Sequence, residues 1–198
     1  MNLIYFSPTQ STKKIVEMIG FGVPYKINKV INLTPFRVTK NRYEISRDEF
    51  SVIGAPVYGG RLPSPFVRRL KNIKADNSPA ILLVVYGNVG YGDALLELKE
   101  ISTKAGFSPI SAGAFIAEPA FSDDLHPIAK DRPDSLDTRI AIQFGAESFK
   151  RHMTKTVTKE ENELSLPGKY PYHESKISFL VSPDMNKAKC TKCGICSE

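Results

Sequence analysis

The sequence has little cysteine, and none of it lies in the first 189 residues. All three cysteines fall within the last nine positions of the 198-residue chain. Disulfide bonds therefore cannot hold the body of the protein together. The cysteines near the end have to be considered for a chemical role instead.

Long apolar runs are also missing. No window approaches the roughly 18 consecutive apolar residues that a membrane-spanning helix needs. The first ten residues, MNLIYFSPTQ, lack the basic and apolar regions of a signal peptide. We therefore expect a soluble, cytoplasmic protein with no membrane partner, and a chain of this length buries one main core with a short appendage.

Signatures of common catalytic sites are absent as well. The sequence contains no GxxxxGK[ST] loop for phosphoryl transfer, no GxSxG nucleophile elbow and no recognisable triad. The three histidines, His126, His152 and His173, are scattered over a predicted loop, a helix end and a later extended segment, so we expect solvent-exposed or capping roles for them. Nothing in the sequence indicates acid–base or nucleophilic catalysis by the protein itself.

The charge is unevenly distributed along the chain. Residues 1–75 carry 13 Lys and Arg against 4 Asp and Glu, whereas residues 76–149 carry 5 against 11. The basic residues Arg68, Arg69, Lys71 and Lys74 lie on a predicted helix without interleaved aromatic side chains. We interpret them as a solvated helix face and expect no nucleic-acid partner. Attraction of an acidic protein partner to this face is the alternative.

What is present is a regular alternation of strands and helices. Apolar runs of strand length cover 3–6, 29–33, 50–55, 80–86 and 110–117, and helical patterns cover 12–19, 65–73, 93–105 and 135–152. Short strands that are apolar on both faces and alternate with helices predict an α/β fold with a parallel sheet covered on both sides. We expect no full helix in 34–49, because that segment has no clear helical period.

Changes in composition divide the chain into three parts. The alternating pattern fills a body of residues 1–153, and a segment rich in Lys, Glu, Pro and Tyr forms an extended connector at 154–189. The cysteine motif follows at 190–198. We expect the connector to pack on the body.

Three loops are candidates for ligand binding, because ligands of doubly wound sheets lie outside the carboxyl ends of the strands. These loops span 7–12, 56–63 and 87–93. The first, SPTQST, offers the hydroxyls of Ser7, Thr9, Ser11 and Thr12 where a strand leads into a helix. Unpaired amides and the positive end of the helix dipole converge there, so the loop is suited to hold a phosphate monoester. A helix cap with surplus hydroxyls is the alternative.

The other two loops combine glycines with aromatic residues. GAPVYGGRLP follows the third predicted strand, and YGNVGYGD follows the fourth. Glycine lets the backbone approach a flat ring, and an aromatic side chain offers a stacking face. Two such loops beside a phosphate-binding loop predict a flat, phosphorylated heterocycle as the ligand.

These motifs resemble those of a known family. Ser7-Pro8-Thr9-Gln10-Ser11-Thr12 is similar to the flavodoxin phosphate loop, [ST]-x-T-G-x-T, which binds the ribityl phosphate of FMN. The sequence departs at Gln10, where the family has glycine, and a positive φ there costs about 1 kcal/mol. PVYGGRLP and YGNVGYGDAL resemble loops of flavodoxin and ferredoxin fusion proteins. The resemblance implies FMN as cofactor and a flavodoxin-like sheet of five parallel strands in the order 2-1-3-4-5.

The resemblance also assigns expected roles to individual residues. The phosphate-binding candidates are Ser7, Thr9, Gln10, Ser11 and Thr12. The candidates for the flavin ring are the main chain of Pro56, Val57, Tyr58, Gly59, Gly60, Gly87 and Asn88, with Tyr58 or Tyr91 covering a face. Asp93 is expected to cap the following helix, or to act at the flavin, and Phe121 to close the pocket or to be a core residue.

The cysteine motif near the end of the sequence resembles a cluster-binding motif. Cys190, Cys193 and Cys196 have the C-x2-C-x2-C spacing with which bacterial ferredoxins ligate a [4Fe-4S] cluster. Zinc ligands and incidental thiols are the alternatives. The fourth cysteine of that pattern is not in the sequence, so the motif resembles the start of a ferredoxin domain cut short, with an incomplete ligand set.

The function expected from these motifs is electron transfer. FMN would pass electrons to and from iron–sulfur clusters of a complete ferredoxin domain, or a redox partner protein of acidic character. One alternative is an FMN-binding interaction module without redox turnover, and another is an NAD(P)H-dependent FMN reductase, for which no nicotinamide site is recognisable.

Overall fold

A computed structural model, which describes residues 1–154, 164–173 and 188–191, contains a five-stranded parallel sheet with helices on both faces. In chain order the strands are β1 (Asn2–Tyr5), β2 (Lys29–Asn32), β3 (Tyr43–Ile45), β4 (Ser51–Pro56), β5 (Ile73–Ala75), β6 (Ser78–Tyr86) and β7 (Phe107–Ile116). The main sheet has the order β2-β1-β4-β6-β7, which is 2-1-3-4-5 when its five strands are numbered alone. The predicted fold class is confirmed.

The described residues form four α-helices, of which three connect strands and the last follows β7. They are α1 (Ser11–Gly22), α2 (Ser64–Leu70), α3 (Ala94–Lys104) and α4 (Ser135–Thr154). Segment 34–49 holds a 3-10 helix at Phe36–Lys40 and strand β3, so the expectation of no full helix there is confirmed. The parallel pairing of β3 with β5 was not predicted, because three-residue strands leave too short an apolar pattern.

The two faces of the sheet carry separate hydrophobic cores. Along β1, Leu3 and Tyr5 point to the face covered by α1 and α4, whereas Ile4 and the following Phe6 point to the face covered by α2 and α3. This alternation follows from the two-residue period of a strand. Leu166, beyond α4, packs against the core on the α2 and α3 face.

Helices α1 and α4 approach each other through two glycines. A Cβ atom on Gly22 would overlap the carbonyl oxygen of Ile142, and one on Gly145 would overlap the carbonyl oxygen of Ile19. Only a residue without a side chain fits at either position. The contact fixes α1, and with it the loop at its start, against the rest of the body. No helix in the described part of the chain is long and apolar enough to cross a bilayer.

One basic residue of α2 differs from the sequence-based interpretation. Arg68 is exposed as expected, but Arg69 is buried. The Arg69 guanidinium donates to the carbonyl oxygens of Leu33 and Thr34 at 2.6 and 2.5 Å and lies over the ring of Phe6. The interpretation of Arg69 as part of a solvated face is therefore wrong, because the helix turns this position toward the end of β2.

Candidate functional site

The three candidate loops meet at one edge of the sheet. They follow β1, β4 and β6, which are neighbouring parallel strands, so their carboxyl ends lie side by side. Main-chain hydrogen bonds link the ends directly: the amide of Phe6 donates to the carbonyl of Gly54 at 3.1 Å, and that of Val57 donates to Val85 at 2.8 Å. The structure thus brings together the residues that the sequence singled out in these loops.

The first loop turns into α1 through a left-handed residue. Gln10 has φ 66° and ψ −9°, the conformation that the corresponding glycine of the phosphate-loop pattern favours. Among the described residues, the amides of Thr9, Ser11 and Thr12 donate no hydrogen bond. The first turn of α1 contains no acidic residue. The loop therefore offers free donors and the positive end of a helix dipole, a combination that suits a phosphate.

The side chains of this loop differ in their exposure. Thr9 and Gln10 are exposed, Ser11 is half-buried, and Ser7 and Thr12 are buried. The Ser7 hydroxyl accepts a hydrogen bond from the amide of Lys13 at 3.0 Å. This contact satisfies one amide in the first turn of α1, although the N-cap residue, Gln10, makes no side-chain cap, and it leaves the hydroxyl proton of Ser7 available to donate.

The loop after β2 is hydrogen-bonded to the first loop. The amide of Ser7 donates to the side-chain oxygen of Thr34 at 2.8 Å, and the carbonyl of Thr34 accepts from the buried guanidinium of Arg69. Arg69 therefore positions Thr34, and Thr34 positions Ser7. The sequence analysis did not predict these contacts between Arg69, Thr34 and Ser7, because the three residues lie in separate elements of the chain.

The second loop contains a tight turn. Tyr58 and Arg61 exchange main-chain hydrogen bonds at 2.9 and 3.2 Å, and Gly59 and Gly60 between them have φ of 58° and 77°. Two positive φ values in a two-residue loop define a type I′ turn, which explains the paired glycines. The Tyr58 ring is half exposed beside the turn. Pro56 ends β4 and Val57, next to it, is half-buried.

The third loop packs its tyrosine inward. The Tyr91 ring meets Tyr86 edge to face at a centroid distance of 5.4 Å and packs against the α2 and α3 core. Gly87 lies against Pro119, where a Cβ atom would come within 2.9 Å. Asn88 is exposed with φ 61°. Tyr58 is therefore the more exposed of the two tyrosines expected to cover a ligand.

Asp93 does not cap α3 with its side chain, so that prediction is wrong. Its amide donates to the carbonyl of Gly60 at 3.0 Å, which joins the third loop to the second. Its buried carboxylate accepts from the amides of Lys169 and His173, both at 2.9 Å. These hydrogen bonds, those of the backbone first, lower the pKa of Asp93 to about 2.

The partners of Asp93 belong to residues 164–173, which we call the strap. The strap follows α4 without helix or strand and returns across the α2 and α3 face to the carboxyl edge of the sheet. Its last residue, His173, is exposed as expected, and its ring is also held by hydrogen bonds to the second and third loops. The imidazole is packed on two glycines, because a Cβ atom on Gly60 or Gly92 would lie within 2.6 or 2.7 Å of it.

A half-buried ion pair links the second loop to α3. The Arg61 guanidinium donates two hydrogen bonds to the Glu97 carboxylate, at 2.9 and 2.8 Å, and a third to the carbonyl of His173 at 3.0 Å. The amide of Leu62 also donates to Glu97. Arg61 lies over the ring of Tyr172, 4.6 Å from its centroid. The turn, α3 and the strap are therefore joined by one polar network.

The remaining candidates lie outside this network. Phe121 is 70% exposed, so it is not a core residue. His126 is exposed as expected, whereas His152 lies 6.0 Å from the ring of Phe50 and its pKa is lowered by burial.

One of the three cysteines belongs to the described residues. Cys190 is exposed and forms no disulfide within the described part of the chain. Cys193 and Cys196 lie outside the described residues, so the predicted metal motif cannot be compared with a geometry. Among the residues that the structure does describe, no three His, Cys, Asp or Glu side chains group as metal ligands.

Comparisons with solved structures identify the fold. Oxidised flavodoxin 1 from Bacillus cereus matches with a TM-score of 0.51 and 19% identity, covering 75% of this chain and 96% of the flavodoxin. Oxidised flavodoxin 2 from the same organism matches with a TM-score of 0.51 and 15% identity over 76% and 98%. No protein-family model and no curated protein matches the sequence. The fold is flavodoxin-like.

A larger protein contains the same fold. The flavodiiron protein from Giardia intestinalis matches with a TM-score of 0.50 and 11% identity, covering 77% of this chain and 36% of the flavodiiron protein. Identities this low establish the arrangement of strands and helices alone, so the function has to be argued from the site.

Proposed function

We propose that this protein binds FMN at the carboxyl edge of its sheet and transfers electrons. The observation that carries the proposal is the first loop, in which left-handed Gln10 and the free amides of Thr9, Ser11 and Thr12 form a donor set that fits a phosphate monoester. This loop lies at the strand ends that also carry the two glycine and aromatic loops. When bound, FMN supplies the ability to accept and release one or two electrons.

The residues of the chain would bind and orient the cofactor. Ser7, Thr9, Gln10, Ser11 and Thr12 would hold the phosphate through amides and hydroxyls. The main chain from Pro56 to Gly60 and of Gly87 and Asn88 would hold the ring edge, while the exposed Tyr58, rather than the inward-packed Tyr91, would cover a face of the ring. No protein side chain is needed as acid or base.

The electron partners of the flavin would be an iron–sulfur cluster and an acidic redox protein. Cys190, Cys193 and Cys196 would contribute three thiolates to a [4Fe-4S] cluster of ferredoxin type, with the remaining ligand from elsewhere. An acidic redox protein would dock on the exposed basic residues Arg68, Lys71 and Lys74. The spacing of the cysteines and the charge of the amino-terminal half support this part.

Titration with FMN and with riboflavin tests the binding site. We expect FMN to bind at least about tenfold more tightly than riboflavin, because riboflavin lacks the phosphate for which the first loop provides charge-compatible donors. Equal affinity for the two flavins, or no binding of either, would contradict the proposal.

Redox cycling separates electron transfer from the alternative functions. The FMN-loaded protein should be bleached by dithionite and reoxidised by an acceptor protein. Binding without cycling would favour an interaction module, and steady oxidation of NAD(P)H by the isolated protein would favour an FMN reductase. Iron and sulfide analysis of the full chain, with Cys190→Ser as control, tests the cluster.

A further inference from the structure

The strap contributes a positively charged residue to the rim of the candidate site. Both ring nitrogens of His173 face acceptors: Nδ1 lies 2.6 Å from Oδ2 of Asp93, and Nε2 lies 3.1 Å from the carbonyl oxygen of Gly59. An ionised carboxylate and a carbonyl cannot donate, so both contacts are hydrogen bonds only when both nitrogens carry a proton. The geometry therefore selects the imidazolium form.

His173 is fixed through all of its polar groups. Its amide donates to Asp93 at 2.9 Å, and its carbonyl accepts from Arg61 at 3.0 Å, in addition to the two ring contacts. One residue thus links the Tyr58–Arg61 turn to Asp93 at the start of α3. The ring packs against Gly60 and Gly92, so these glycines accommodate a ring that the chain itself supplies.

The strap approaches the site from the face of the sheet opposite to α1, so it does not cover the first loop. Leu166 of the strap packs on the α2 and α3 face of the sheet, whereas α1, which begins with the first loop, packs on the opposite face. Thr9 and Gln10 of that loop are exposed. His173 therefore lies at one wall of the site rather than across the phosphate loop.

We propose that His173, as an imidazolium, is a positioning residue of the flavin site, which holds the Tyr58–Arg61 turn in its binding conformation and makes flavin affinity depend on pH. This inference rests on the proposed function. Loss of the proton from Nε2 places two acceptors 3.1 Å apart and releases Gly59, while the bond from Nδ1 to Asp93 persists. FMN affinity should then fall as the pH rises through the pKa of His173.

The charged neighbours of His173 fix the sign of this effect. Asp93 raises the pKa of His173, and Gly59 contributes in the same direction. Arg61 of the turn opposes them, but its charge is paired with Glu97 of α3.

Two tyrosines also lie beside this network. Tyr58 of the turn and Tyr172 of the strap have pKa values raised by burial, so both are neutral where His173 titrates. The pH dependence in that range is therefore that of the histidine.

The first measurement needs no flavin. NMR titration of the His173 imidazole in the full chain should give a pKa above 6.5, and this value should fall toward 6.5 in Asp93→Asn. A wild-type pKa at or below 6.5 would overturn the inference whatever the protein binds.

The second measurement is FMN affinity against pH, from flavin fluorescence. His173→Gln, which keeps a donor near the Nε2 position but cannot titrate, should lose the pH dependence seen in the wild type. His173→Ala should bind about tenfold more weakly than wild type at pH 6 and about equally at high pH. Lys169→Ala is the matched control: it removes a positive charge from the strap, yet Lys169 contacts Asp93 only through its amide.

The outcomes separate the two proposals. Equal or tighter FMN binding by His173→Ala at every pH would overturn the positioning role and leave FMN binding intact, with the tighter result meaning that the strap obstructs the site. No FMN binding by the wild type, together with a raised His173 pKa, would refute the proposed function and the flavin role of His173, leaving only the ion pair.

Discussion

One carboxylate oxygen of Asp93 accepts hydrogen bonds from both the main-chain amide and the imidazole of His173, at 2.9 and 2.6 Å, across 80 positions of sequence. This pair fastens the strap to the edge of the sheet where the three candidate loops meet. The carboxylate is also bonded to the amide of Lys169, so its replacement affects three contacts at once.

The Asp93 and His173 pair should stabilise the protein within a defined pH window. The pKa of Asp93 is about 2, below its ordinary 3.8, so its contribution to the free energy of unfolding is present above about pH 4 and is lost as the pH falls toward 2. The pKa of His173 is raised above 6.5, so its contribution is complete below pH 6.5 and is lost as the pH rises through the raised value.

Asp93→Asn tests this window. In either orientation the NH2 group of asparagine would face at least one N–H donor, and the ion pair with His173 would be lost, so we expect a loss of roughly 1–3 kcal/mol near pH 5.5 in urea unfolding, and a smaller loss at pH 9. Asp124→Asn, which breaks an exposed ion pair with Lys130, should change stability by less than about 0.5 kcal/mol. A loss that does not vary with pH would contradict the assignment of the charges.

Gly92→Ala should destabilise the protein, because two conditions at this position require glycine. Its φ is 49°, and a Cβ atom would lie 2.7 Å from the carbonyl oxygen of Gly60 and 2.7 Å from the His173 ring. We expect a loss of roughly 1–3 kcal/mol in the free energy of unfolding. Gly90→Ala, in the same loop with nothing within 4 Å, should stay within about 0.5 kcal/mol of wild type.

Arg69→Met should weaken both stability and flavin binding. The substitution leaves the carbonyls of Leu33 and Thr34 without their donor, at a cost of roughly 1–3 kcal/mol in the free energy of unfolding. It also releases Thr34, the residue that positions Ser7 in the first loop. Arg68→Met removes the same charge from the exposed neighbouring position and should leave both quantities nearly unchanged. Equal effects of the two substitutions on FMN affinity would indicate that only the net charge matters.

Gln10→Gly should stabilise the protein by up to about 1 kcal/mol, because it removes the strain of a left-handed glutamine. The hydrogen bond from the Gln10 side chain to the carbonyl of Ser7 is long, at 3.3 Å, so its loss costs little. Thr9→Gly, the matched control at a neighbouring exposed residue without positive φ, should be neutral or destabilising. Thermal unfolding of the two variants measures the difference.

The sequence was sufficient to predict the sheet and the edge of the sheet at which the three candidate loops meet. Apolar runs that alternate with helical patterns predicted its five strands, and the end of a strand is visible wherever glycine and proline follow an apolar run, as at Gly87. The family pattern has glycine at position 10, and the left-handed conformation of Gln10 agrees with that pattern. The short strands β3 and β5 were missed, because their pairing depends on tertiary context rather than on a local period.

The polar contacts of the site were harder to predict. Asp93 in front of a helix has the pattern of a cap, yet its carboxylate binds the strap, which the chain reaches only after α4. Arg69 was likewise assigned to solvent from composition, whereas its orientation depends on where β2 ends. Hydrogen bonds between residues far apart in the chain produce no local sequence pattern from which they could be predicted.

The strap is attached to the body mainly by polar contacts, with Leu166 as its apolar anchor. The sheet, in contrast, is held by two hydrophobic cores. Regions with few buried apolar contacts open at a lower free energy than the core, so the strap should detach as a separate cooperative unit. In native-state hydrogen exchange, the amides of Lys169 and His173 should therefore exchange together and well before those of β4 and β6.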